Sequence, residues 1–219
     1  MTETALRRPR SPARPEARVM LQPVAAPSIL GYFALASALT IYGSWLAGWW
    51  GTEKDTGAFF PFLLFFGGFG QLAAALWGYR ARAAVAAALH GSWAAFWLGL
   101  GLVYLLGTTH TISVPPRGDE WQSLGEWSIY MAIITWTTAF AALARSPLGF
   151  VAQALLGTAS AFAAAGFLDG SSGWDDLAGW FFVAAAAVAF ATGAWTMVTG
   201  AHDEPVQYEQ GDPGVKVGQ

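Results

Sequence analysis

The chain reads as an all-α integral membrane protein, a bundle of six transmembrane helices with both termini in the cytoplasm. Three observations lead there. Hydrophobic residues make up 55% of the chain and charged residues only 11%, where soluble domains carry about a quarter charged. Between residues 28 and 200 apolar stretches recur six times, each near the roughly 20 residues that cross about 30 Å of hydrocarbon. The basic residues, finally, are divided very unevenly between the connecting segments.

Residues 1–27 carry five arginines and five prolines, a composition that cannot bury a core and reads as a disordered basic tail. A basic segment ahead of an apolar one also suggests a secretory signal. The apolar run after Pro27 is about 22 residues, however, too long for the core of such a signal. The spacing then predicts spans over 28–49, 58–79, 83–106, 124–144, 147–168 and 177–200, followed by a second disordered tail at 201–219. Pro27, Pro61 and Pro147 fall at or near first turns, where a missing N–H costs nothing. Ser123 and Glu126 have the spacing of a capping box, and Asp175 and Asp176 precede the last span, at the positive end of its dipole. Trp45, Trp49, Trp50, Trp121, Trp127, Trp174 and Trp180 cluster near span ends as an aromatic belt.

An even number of spans puts both termini on one side. The two tails, the 80–82 loop and Arg145 hold nine of the eleven Lys and Arg, against only Lys54 and Arg117 in the opposite loops. Positive residues stay inside, so the termini are cytoplasmic and the 107–122 loop is external. Small residues recur every fourth position at Ala83, Ala87, Gly91, Ala95 and Gly99, and again at Gly149, Gly157, Ala161 and Ala165, with Gln153 interrupting the second ridge. Such ridges let helices approach closely, either within the bundle or between copies.

Several chemistries are excluded. No Asp, Glu, Lys or Arg lies deep in a span, where proton pumps and ion-coupled carriers place them. The histidines are His90, His110 and His202 and there is no cysteine, so no metal site is expected. No phosphate-binding loop is present, and a net charge of −3 offers no nucleic-acid footprint. Enzyme chemistry has no residues to carry it, and no cofactor is called for. What remains at depth is neutral and hydrogen-bonding. Phe33, Ser37, Thr40 and Ser44 share one face of the first span at i, i+4, i+7 and i+11. Gln71 lies beside Gly67, Gly68 and Gly70; His90, Ser92 and Trp93 follow in the third span, and Thr135 and Thr138 in the fourth. Such groups either line a pore, replacing part of a solute's hydration, or tie helices together. Composition leaves both readings open.

Residues 65–97, FFGGFGQLAAALWGYRARAAVAAALHGSWAAFW, resemble the signature region of the acetate uptake transporter family, the succinate–acetate permeases. The matching elements are Phe65-Phe66, Gly67-Gly68, Gln71, Tyr79-Arg80 and the run Ser92-Trp93-Ala94-Ala95-Phe96-Trp97. With the six spans and the short loop after the second, the resemblance covers roughly residues 24–200. The family's opening Asn-Pro-Ala-Pro-Leu-Gly is reduced to Val24-Ala25-Ala26-Pro27-Ser28-Ile29, Gly78 replaces a Glu, and Arg82-Ala83-Ala84 replaces Gly-Asn-Thr. The chain thus resembles a divergent member of the family.

The resemblance implies a homo-hexamer with a pore through each protomer, narrowed by Phe, Tyr and Leu. Carried over, these fall on Phe33, Trp93 and Leu156, with Leu155 nearly as good as the last. A Trp in place of Tyr narrows the pore and favours acetate over succinate. The expected function is a permease or channel for a small monocarboxylate, stripped of water at that apolar ring. Ser37, Thr40, Gln71 and Ser92 would compensate its lost hydrogen bonds. A coupled proton would ride on the neutral acid or on His90, which is equally readable as an interhelical donor. Two rivals stand beside this: a channel for urea, ammonia or an amide, and a non-transporting structural or regulatory membrane protein.

Overall fold

The computed structural model describes residues 25–50, 56–116 and 118–200. Most of the two predicted tails, together with Lys54 and Arg117 of the charge count, lie outside these residues. The described chain is helical: α1 (Ser28–Leu46), α2 (Thr56–Phe62), a π-helix π1 (Leu63–Gly70), α3 (Gln71–Arg80), α4 (Ala84–Thr108), α5 (Gln122–Ala142), α6 (Pro147–Asp169) and α7 (Ser172–Gly200). Because α2, π1 and α3 run on as one rod, these make six rods among the described residues.

Five rods are long and apolar enough to cross a membrane: Ser28–Leu46, Phe59–Arg80, Ala84–Thr108, Pro147–Asp169 and Ser172–Gly200. The remaining helix, α5, has 21 residues but carries Gln122, Ser123, Glu126, Ser128, Thr135, Thr137 and Thr138, which lower its hydropathy. It is held by its neighbours instead. Its most extensive packing is on α6, which packs in turn on α7, and α7 on α1; π1 and α3 lie against α1 and α4.

The helix ends follow local chemistry. Pro147 occupies the first turn of α6 and Ser146 accepts a hydrogen bond from the Gly149 N–H at 3.0 Å. Gly170, with φ of 64°, closes α6 in the left-handed conformation that glycine adopts without penalty. Other expectations fail. No capping box forms at Ser123, because α5 begins at Gln122 after Trp121 without a side-chain cap. The Trp121 N–H donates to the Phe167 carbonyl at 2.6 Å, pinning the helix start to the end of α6. The last span begins at Ser172 rather than 177, so Asp175 sits inside α7 and is buried. Trp45 is buried within the bundle rather than in the interfacial belt, whereas Trp49, Trp50, Trp174 and Trp180 are exposed.

The π-helix is the feature no periodicity announced. Pro61 inside α2 has no N–H to continue the α-helical ladder, and the run Leu63–Gly70 relaxes into the wider coil. Its glycines supply close approach. A Cβ on Gly67 would stand 2.9 Å from the Ala38 Cβ and 3.2 Å from the Trp97 ring, and one on Gly68 would stand 2.7 Å from Leu98. The π-helix is thus clamped between α1 and α4, and it delivers Gln71 to the buried face of α3.

Candidate functional site

Two groups of side chains contain the residues singled out from the sequence, and they occupy different places. The first is inside the bundle. Trp93 and Leu156 are buried in one apolar core. The Trp93 ring lies against Phe96, Trp97 and Phe182 with centroids 5.1, 5.5 and 6.4 Å away. Its indole N–H donates to the Thr135 hydroxyl at 3.0 Å, so α4 and α5 are joined by a satisfied polar contact. Leu155, the competing candidate, is only half-buried. On the same face of α4 as Trp93, one turn towards the helix start, His90 is buried with its Nδ1 3.3 Å from the Gln71 Oε1. An amide oxygen only accepts, so Nδ1 carries the proton and donates. Ser92 stands between these two positions and is half-buried.

The second group faces outward. Phe33, Ser37 and Thr40 line an open apolar groove of about 710 Å³ between α1, π1 and α7, completed by Phe66, Val183 and Phe190. Phe33 has its ring 5.4 Å from that of Phe190, and it lies over Gly193, where a Cβ would come within 3.2 Å. The Thr40 hydroxyl donates to the Ala36 carbonyl at 2.8 Å, as isolated helical threonines do. Among the described residues no ring contact links Phe33 to Trp93. The structure therefore brings together Trp93, Leu156, His90 and Gln71, and leaves Phe33, Ser37 and Thr40 on another face of α1.

Three participants were not picked out from the sequence. Tyr32 meets His90 edge to face at 5.2 Å, and its hydroxyl lies 3.1 Å from where a Cβ on Gly149 would be. Gln153, buried on α6, donates from Nε2 to the Gly149 carbonyl at 3.0 Å while its Oε1 has no partner. The Gln71 Nε2 and His90 Nε2 are likewise buried without partners. Four neutral polar side chains from α1, α3, α4 and α6 thus occupy one end of the interior. The third is Asp175, a buried carboxyl at the start of α7, seated over Gly166. Gln153 was visible only as the polar interruption of a small-residue ridge. Tyr32 gave no signal, because an aromatic beside a span start is commonplace, and Asp175 was expected only as an acid ahead of the last span, not as a buried one.

Buried neutral donors and acceptors at depth, inside a bundle most of whose rods are apolar enough to span a bilayer, define a multi-pass α-helical membrane protein with a few polar groups set into an apolar core. Its relatives agree. The sequence matches the GPR1/FUN34/yaaH family over residues 11–208. The chain belongs to that family, the acetate uptake transporters whose motifs it carries. Among solved structures it resembles one described as the bacterial acetate channel SatP, with a TM-score of 0.74 at 20% identity, covering 82% of this chain and 96% of the other. That likeness is one of fold. No curated protein matches the sequence significantly.

Proposed function

We propose that the chain is a plasma-membrane channel or permease for a small monocarboxylate, acetate being the type case and succinate the larger alternative. The observation that carries the reading is the buried line of neutral polar groups, Gln71, His90 and the Trp93–Thr135 pair, in a chain of this family. Neutral donors replace hydration without trapping an anion as a fixed cation would. Family membership and the fold shared with a bacterial acetate channel support the substrate class. Trp93 and Leu156 form the apolar constriction, which strips water from the solute. Phe33, the third residue expected there, instead lines the groove between α1, π1 and α7. Hexameric assembly, cytoplasmic termini and the lack of enzymatic activity belong to the same proposal.

Uptake of labelled acetate into proteoliposomes, with and without an imposed pH gradient, tests it. Saturable uptake above protein-free vesicles, competed by excess acetate but not by urea, is expected. Competition by urea alone would replace the carboxylate with a neutral amide-like solute, and no flux of either would make the protein non-transporting.

A further inference from the structure

His90 has a second property besides its contact with Gln71. The face of its distal half, over Cδ2, Nε2 and Cε1, is laid on Gly31 of α1 so closely that a Cβ there would collide with all three atoms. Only glycine at position 31 allows the ring to seat. The tautomer set by Gln71 puts the proton on Nδ1, so Nε2 keeps its lone pair, in the ring plane, buried and without a partner. The seat suits a neutral ring alone. A proton on Nε2 would lie in the ring plane with no acceptor in reach, and a buried ionic N–H without a partner is strongly disfavoured.

The neighbours offer no compensation. From α1 the ring meets Tyr32, its one titratable neighbour. From α3 it meets the neutral Gln71, and beyond Tyr32, α6 presents the neutral Gln153. Among the described residues no carboxylate or cation faces it. His90 and Trp93 lie one turn apart on the same face of α4, so the buried ring is packed in the bundle interior one turn ahead of the tryptophan.

We propose that His90 is an acid-operated gate in series with Trp93: the neutral imidazole closes the interior by seating on Gly31, and protonation at Nε2 unseats it. The position of this gate on a solute path rests on the carboxylate reading above, but its movement can be measured without any solute. The chain contains no cysteine, so a single Ala94→Cys, buried one turn beyond His90 on the same face, reports aqueous access through its labelling by a methanethiosulfonate. Labelling at each pH is normalised to a cysteine at the exposed position Thr111, which cancels the changing thiolate fraction.

Normalised labelling is expected to rise about tenfold or more between about pH 8 and about pH 5, as a one-proton switch permits. It should stay flat and low with His90→Phe, whose ring still plugs the seat but takes no proton. It should be high at both pH values with Gly31→Ala, which removes the seat. An unchanged pH response in His90→Phe, or a parent protein with no pH response, overturns the gate. A pH response that depends on His90, found together with absent acetate flux, sinks the carboxylate reading and leaves the gate standing; acetate flux with pH-independent labelling does the reverse.

Discussion

At the scale of single residues the interior is governed by pairing. Trp93 carries a large apolar ring and one obligate donor, and the Thr135 hydroxyl 3.0 Å away satisfies that donor. Removing the acceptor with Thr135→Val keeps the volume but strands a buried N–H, at a cost of about 1–3 kcal/mol. The variant is expected to unfold at lower temperature in detergent while still reaching the membrane. Trp93→Ala should widen the constriction and raise acetate flux or admit succinate. Trp93→Glu should abolish anion uptake, since like charges at close range cost several kcal/mol at an effective dielectric of about 20. Surface abundance measured beside uptake separates these effects from misfolding, and an unaltered uptake profile in Trp93→Ala at normal abundance removes Trp93 from the path. His90, Gln71 and Trp93 were legible as candidates because polar or amphipathic side chains are rare at membrane depth. Phe33 illustrates the opposite case. An aromatic on an apolar helix gives no sign of which neighbour it faces, and it is α7, with Phe190 and Gly193, that it meets.

At the scale of elements the bundle is assembled by glycines, and they are not equivalent. Where α1 crosses α7, a Cβ on Gly179 would collide with the Ala47 N and Gly43 O, which are backbone atoms and cannot yield. On α6 a Cβ on Gly157 would come 2.7 Å from the Trp136 ring, a side chain with room to turn. On α4 a Cβ on Gly91 would find only the Ala75 Cβ at an ordinary 3.5 Å. Gly179→Ala is therefore expected to cost about 1–3 kcal/mol or more through overpacking. Gly157→Ala should cost less, and Gly91→Ala should be neutral or stabilising, since alanine is the better helix former by about 1 kcal/mol. Thermal unfolding of the three variants checks the ranking, and a Gly179→Ala midpoint at or above the parent's refutes it. The small-residue ridges were legible as close-approach surfaces. Their partners, Trp136 for Gly157 and Trp127 for Gly99, lie within the same chain, which supports the intramolecular reading at these positions. The π-helix was not legible, since Pro61 and a Gly-rich run equally permit a kinked α-helix.

At the scale of the whole molecule, orientation and assembly carry the predictions. The uneven division of Lys and Arg predicts that a cysteine placed at Gly118 reacts with a membrane-impermeant maleimide on intact cells, and that a reporter fused after Val217 is cytoplasmic. Labelling at Gly118 only after permeabilisation inverts the topology. Native mass spectrometry of a detergent extract is expected to show hexamers; monomer alone across a range of protein concentrations counts against them.

The sequence by itself determined the helical class, the number of rods, the family and the absence of deep charge. All of these follow from composition, from runs of about 20 apolar residues and from local motifs, none of which needs knowledge of a partner helix. Tertiary structure decided which faces meet. It set His90 on Gly31, paired Trp93 with Thr135, buried Asp175 and turned Phe33 towards α7. A helix in lipid is apolar on every side, so hydropathy does not mark its inner face. That face is chosen by the fit of small residues against large ones and of buried donors against acceptors, and those fits exist only once the helices have come together.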